Sequence, residues 1–570
     1  MRARVTRCLV LALGVAFSAA AAGRPTPVLE ALEEELGRSM AVLGKQPQPP
    51  YFLSYEITDL QRAEVVASFG TLTSSTEERR RELDIDLRVG DHDFDSTHEL
   101  RGDRGDHFFD SYSFVEVPVE DDVQAIRGLL WYHTDRRHKR ALERFTKVAT
   151  DVTVKVDEED RSADLSREEP VQYVEEPQEL LVDLAAWEER VRRYSRPFAA
   201  HGAILEAGSQ LLGLREIRWF VSSEGTRLQT SRLAFRLVLS ATTKADDGME
   251  LPRYESFFAY DPADLPDDDQ VLATVERMIA DLEALRRAPL VEPYTGPAIL
   301  SGRASGVFFH EIFGHRVEGH RQRSEEDAQT FKKMVGEKIL PDSFSVVFDP
   351  TVERVGAGDL AGYYRYDNQG VAARPVKVVE NGVLKRFLMS RKPIEGFPTS
   401  NGHGRRAPGF APVSRQSNLI VEVEGAVSRD ELRRMLIERV EAEGKPFGLL
   451  FDDIAGGFTF TGRSIPNAFN VIPVMVYRVF PDGRQELVRG VDLIGTPLTA
   501  FSKIVAGDDS PAVFNGTCDA ESGGVPVAAV SPAILVSQIE VQKQEKSQAR
   551  PPLLGPPLAD PGNTENDLAR

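Results

Sequence analysis

From Pro293 to about Gln544 the chain is a succession of short β-patterned runs separated by Gly and Pro, and this restricts the carboxyl half to a sheet-built fold. The runs are PVKVVENGVLKRFLMS, NLIVEVEG, GGFTFTG, NVIPVMVYRVFPDGRQELVRGVDLIG and AILVSQIEVQ. Asn381-Gly382 and Asp482-Gly483 each stand between two strand-like runs, a two-residue hairpin signal. Mostly antiparallel sheet is therefore expected here.

The amino half mixes periods. Thr26 to Leu43 has apolar residues at helical spacing, Tyr51 to Leu72 alternates like paired strands, and LDIDLRV (83–89) is a further strand pattern. Helices are expected over 121–150, 182–193 and 267–288, and short alternating segments over 216–240 and 254–260 suggest a second antiparallel sheet. The acid-rich stretch 156–181 reads as a solvated loop or hinge, with an acidic docking surface as the functional alternative. The expected class is α+β: an α/β amino-terminal domain (23–292), a β-rich carboxyl-terminal domain (293–545) carrying the metal-site helix described below, and a disordered tail (546–570) rich in Pro and polar residues.

Residues 1–22 carry Arg2, Arg4 and Arg7, an apolar run from Leu9 to Phe17, and then Ser-Ala-Ala-Ala-Ala, the pattern of a secretory signal peptide. An exported chain, periplasmic or secreted, is expected, and no later run approaches the length of a membrane helix. The formal charge of −20 argues against a nucleic-acid surface. Of the two cysteines, Cys8 would leave with the signal peptide, so Cys518 would be the only thiol and no internal disulfide could form.

The segment SGVFFHEIFGHRVEGHRQR holds His310, Glu311 and His315 as H-E-x-x-x-H. In the familiar zinc motif H-E-x-x-H a spacing of four sets the imidazoles about 40° apart on a helix, whereas five steps set them about 140° apart. Both can share an ion only if the helix is distorted, for which a π-bulge eased by Gly314 is the expected device. Catalytic zinc usually takes three protein ligands and a water. Cys518, in the Gly-rich FNGTCDAESGG, is a candidate third ligand; its alternative is an inert buried thiol. His403 sits in a Gly-rich loop. Glu318 could hydrogen-bond a ligand imidazole or lie on a solvated face. His320 could compete as a ligand, though at a spacing of five from His315. Asp452-Asp453 and Asp508-Asp509 look like paired carboxylates, but adjacent acids on a strand diverge and are usually loop residues.

The segments PAILSGRASGVFFHEIFGHRVEG, SRQSNLIVEVEG, LVRGVDLIGTPLTAFSKIVAGDD, NGTC and VPVAAVSPAILV, in that order, resemble the TldD/PmbA metallopeptidases, also described as modulators of DNA gyrase. The resemblance runs from about Pro27 to Gln544. It implies a dimer, of identical chains or with a homologous subunit lacking the metal motif, and unfolded or flexible peptides as substrates. It further implies zinc held by His310, His315 and Cys518, with Glu311 as general base toward a zinc-bound water. The chain departs from the family pattern where Asp519-Ala520 follow Cys518 in place of Gly-Lys, and in its export signal, since many relatives are cytosolic. A non-catalytic peptide-binding partner subunit, with structural or no metal, is the competing expectation. Glu311 argues against it, because a structural site needs no base. Hydrolysis of small-molecule amides or esters is a third.

Overall fold

The computed structural model describes residues 23–99, 115–154, 161–324, 327–462, 469–494, 497–544, 552 and 554. The expected signal peptide and nearly all of the expected tail lie outside them. The fold is mixed α and β, strand-rich throughout, with a β-dominated carboxyl half.

Two 19-residue strands, Pro50–Ser68 and Thr71–Val89, form a hairpin turned by Phe69 and Gly70, both at positive φ (48° and 81°). The other edge of Pro50–Ser68 pairs antiparallel with Ile204–Ser222, from Ser54↔Ser222 to Ala67↔Ser209. One seven-stranded sheet results: Val115–Glu116, Thr71–Val89, Pro50–Ser68, Ile204–Ser222 and Arg227–Lys244, the last joined by both Gln172–Val174 and Glu250–Ala259. The second sheet expected over 216–260 is thus part of the first. Alternation reports which face of a strand is buried, not which strand lies beside it.

Tyr55, Ile57, Ala63 and Val65 share one face at period two and are fully buried. Helices Pro27–Leu43 and Val123–Val154 cover one end of the sheet, and Leu184–Ser195 and Asp268–Arg287 the other. Asp59 lies on the same face of its strand, fully buried and ion-paired with Arg79, Arg81 and Arg215. Burial would raise its pKa, but Arg79 and Arg81 hold it below the carboxylate range. Side chains of alternate parity reach the carboxyl half instead. Glu56 pairs with Arg406, Arg218 donates to the carbonyls of Tyr366 and Asp367, and Arg236 donates to the carbonyl of Asn515 at 3.0 Å.

The carboxyl half contains two larger sheets. One runs Val383–Leu384, Val376–Glu380, Phe344–Phe348, Asn418–Val423, Gly523–Ser531 and Ala512–Ala520. In the other, Gly448–Thr459, Tyr294–Leu300, Ile534–Lys543, Val491–Ile494 and Phe469–Val479 pair in turn, and the last pairs back to the first, closing a circuit. Antiparallel pairs dominate as expected; Asn418–Val423 with Gly523–Ser531 and Tyr294–Leu300 with Gly448–Thr459 are parallel. Asn381-Gly382 forms the expected two-residue turn, with φ of 47° and 76° and Glu380 opposite Val383. Asp482-Gly483 does not. Phe480 and Arg484 still bond each other through their backbones, so the connection is longer and only Gly483 needs positive φ.

Of the expected acid-rich loop, residues 156–160 lie outside the described ones and Glu169, Glu176 and Glu179 are exposed, but the remainder is not wholly solvated. In its described part Asp164, Leu165 and Ser166 are buried, Asp164 between His98 and Arg323, and Gln172–Val174 is a paired strand. Arg323, distant in sequence, offsets the charge of the buried Asp164. Among the described residues no helix is long and apolar enough to cross a membrane.

Candidate metal centre

Helix Gly302–Ile312 is capped by the Ser301 hydroxyl, which accepts from the Ala304 amide. It lies across the hairpin formed by Ala512–Ala520 and Gly523–Ser531. Gly302, Gly306 and His310 recur every four residues and so share one face. A Cβ at Gly302 would lie 2.6 Å from the Ser531 carbonyl oxygen, and one at Gly306 3.1 Å from Ala529 Cβ. Two missing side chains bring the helix onto the hairpin, and His310 follows them. Val307, Phe308 and Phe309 are buried, with Phe308 edge-on and Phe309 tilted against Phe501.

The spacing of five is resolved without a π-bulge. The α-helix ends at Ile312, Phe313 takes φ −114° and ψ −51°, and a 3₁₀ turn, Gly314–Val317, presents His315. Ending the helix is easier than inserting a residue because Arg316, one residue on, caps the freed carbonyls: its Nη1 donates to those of Glu311 and Ile312 at 2.8 and 3.2 Å. Gly314 is needed for room. A Cβ there would fall 1.9 Å from Gln416 Oε1, in a fully buried side chain. Gly314→Ala is expected to cost about 1–3 kcal/mol, as overpacking does, and urea unfolding measures it.

The imidazoles of His310 and His315 are 5.1 Å apart at 84°. Cys518 Sγ lies 3.4 Å from His315 Nε2, and one donor atom from each of His310, His315 and Cys518 lies within 4.8 Å of the others. The donor set suits a tetrahedral metal ion: with bonds of about 2.0 Å to nitrogen and 2.3 Å to sulfur, neighbouring donors stand about 3.5 Å apart. Burial alone would raise the pKa of Cys518, but His315 and His310 hold it well below the usual thiol value, favouring the thiolate that ligates metals. Glu311 is buried, with Oε2 3.9 Å from His315 Nε2, and burial raises its pKa.

Glu318 accepts from His315 Nδ1 at 3.3 Å and from Arg321 Nε at 2.9 Å. Burial opposes its charge, yet His315 and Arg321 bring its pKa down to about 2. An anion on Nδ1 leaves Nε2 free to face the metal site. His320 turns to Glu521, forming with Glu318 a second donor group that Arg321 already neutralises through both carboxylates.

His403 is not near these donors; it is fully buried and bonds Ser417 Oγ at 3.0 Å. Burial pushes its pKa down to about 3, so it folds neutral. The unfolded chain protonates it near pH 6.5. Its contribution to stability is complete above that pH and is lost as pH falls toward 3. Relative to His403→Gln, the wild type is expected to lose up to about 1.4 kcal/mol per pH unit over that window, followed by unfolding at a series of pH values. The paired acids are structural. Asp453 lies on a strand rather than in a loop, ion-paired with Arg253 and Arg303, and Asp508 accepts from the Ala533 amide.

Sequence reading did not single out Arg415 or Gln416. The run Ser414–Asn418 is entirely polar and fully buried, with Arg415 Nη2 3.3 Å from Cys518 Sγ and Gln416 Nε2 3.3 Å from the His310 carbonyl oxygen. Its signals were polarity directly before the strand NLIVEV and its place in SRQSNLIVEVEG, a segment of the resemblance, neither of which gives the two side chains a role.

The strand-rich mixed fold gathers two imidazoles and one sulfur beside a buried glutamate, a donor group that could hold a metal ion. Residues 293–543 match the model of the PmbA/TldA metallopeptidase C-terminal domain. Over that stretch the chain is similar to the TldD/PmbA metallopeptidases. It is 28% identical over 238 residues to a metalloprotease of Archaeoglobus fulgidus, covering 42% of this chain and 51% of that one. It is 25% identical over 281 residues to the zinc metalloprotease TldD homolog of Saccharolobus solfataricus, covering 49% and 58%. The match thus spans about half the length of these curated relatives. The crystal structure of TldE from Thermococcus kodakarensis shares the fold, with TM-score 0.60, 14% identity, and coverage of 90% of this chain and 100% of that one.

Proposed function

We propose that the protein is an exported zinc peptidase acting on unfolded or flexible peptides. The observation that carries this reading is the convergence of His310, His315 and Cys518 donors within 4.8 Å with the Glu311 carboxylate beside them. Zinc held there by His310, His315 and Cys518 would supply a Lewis acid and an activated water. Glu311, adjacent to a ligand and outside the donor set, takes the proton of the attacking water and returns it to the leaving amine. Glu318 holds His315 in the tautomer that presents Nε2. Cys518 lies on Ala512–Ala520, one of the two edge strands of its sheet, and an extended peptide can add to such an edge. Relatives named as metalloproteases support the reaction class. A dimer of identical or homologous chains, implied by the sequence resemblance, is part of the proposal.

Metal analysis of the purified mature chain and cleavage of an unstructured protein, with and without chelator, test the reading. Stoichiometric zinc and cleavage that chelator abolishes and zinc restores are expected; a metal-free chain, or cleavage indifferent to chelator, would refute it. Export rests on residues 1–22, and amino-terminal sequencing of the protein from its producing cell checks it: a chain retaining Met1 excludes it.

A further inference from the structure

We propose that Arg415 is a positioning residue of the metal centre: its guanidinium fixes the Cys518 sulfur and links it to the Glu318–His315 pair. This rests on the metal-binding reading above. Arg415 is fully buried. Its Nη2 donates to Cys518 Sγ at 3.3 Å and to the Cys518 carbonyl oxygen, gripping one residue by side chain and backbone. Nη1 donates to Ser522 Oγ at 2.6 Å and to the Gly523 carbonyl oxygen at 2.9 Å. Nε stands 3.5 Å from Glu318 Oε1, the oxygen not engaged by His315 and Arg321. One planar cation thus spans two of the three donors, touching the sulfur directly and His315 through its carboxylate.

The geometry has two consequences for a bound ion. A charge-assisted hydrogen bond withdraws electron density from the thiolate, so the metal keeps more of its positive charge. The fork also sets where the sulfur sits before any metal arrives, since the hairpin turn at Ser522 and Gly523 is held by the same group. Lysine cannot reproduce this, because an ammonium lacks the rigid fork needed to hold sulfur and turn together. A purely structural role for Arg415, stapling the hairpin, is the competing account. Ser522→Ala isolates it, for it removes one staple and leaves the sulfur contact.

The test uses the full mature chain loaded with cobalt(II), whose sulfur-to-metal charge-transfer band reports on the thiolate, with zinc affinity by chelator competition as the second readout. Arg415→Gln is expected to move the band to longer wavelength and weaken zinc about 10- to 100-fold. Arg415→Lys is expected to fall between Gln and wild type in both, and it carries the test if the Gln variant does not fold. Ser522→Ala is expected to lose stability with the band unmoved. Where hydrolysis is measurable, kcat falls in Arg415→Lys with KM unchanged. A band and an affinity unmoved in every folded Arg415 variant would overturn the proposal while leaving the metal reading intact. Wild-type protein that takes up cobalt with no sulfur band would overturn both.

Discussion

Replacing Glu311 by Gln is expected to lower peptide hydrolysis by about 10²- to 10⁴-fold, the contribution of a well-placed general base, while zinc content stays at the wild-type level. The two readouts separate because Glu311 stands beside the donor group without belonging to it: its Oε2 is 3.9 Å from His315 Nε2, and the donors are His310, His315 and Cys518. Gln is the proper substitution. It keeps the volume of a buried side chain 6% exposed, and it removes a carboxylate whose pKa burial has already raised toward the range where a base can both take and give a proton. Steady-state cleavage of an unstructured protein with parallel metal analysis measures both. Undiminished cleavage in a zinc-replete Glu311→Gln protein would remove Glu311 from the reaction.

Cys518→Ser is expected to weaken zinc binding by more than the 10- to 100-fold typical of an outer partner, and to abolish cleavage at ordinary zinc concentrations. The sulfur is the one anionic donor of the three, and the site is built around its charge: two imidazoles on one side and the Arg415 guanidinium on the other hold it. A serine hydroxyl at neutral pH brings no charge, so Arg415 would be left buried beside a neutral group. Chelator competition measures the affinity, and folding is checked separately because Cys518 packs with Val525 and Val527. Wild-type zinc affinity in Cys518→Ser would mean that the sulfur is not a ligand.

How much of this site could be read in the sequence depends on how local each part is. His310, Glu311 and His315 announce themselves within six residues, and the need for a helix distortion follows from their spacing alone. The form of that distortion does not, because it was decided by Arg316 capping the helix end and by Gln416, a hundred residues away, filling the space over Gly314. Cys518 was legible through scarcity, as the thiol left after Cys8, and through the order of its family's motifs. Arg415 was not, since a polar run before a strand looks like a loop until the sheet buries it. The fold divides in the same way. Alternation identified the strands before 260, yet only long-range pairing of Pro50–Ser68 with Ile204–Ser222 shows that they make one sheet. The acid-rich stretch misled in part because composition does not show that Asp164 meets Arg323 in the fold.

The contact between Arg236 and the carbonyl of Asn515 carries a further consequence. Asn515 is three positions before Cys518 on one strand, so a side chain from the amino-terminal half is part of the scaffold that aims the sulfur. A perturbation introduced almost three hundred residues upstream in the chain is therefore expected to reach the strand that carries Cys518.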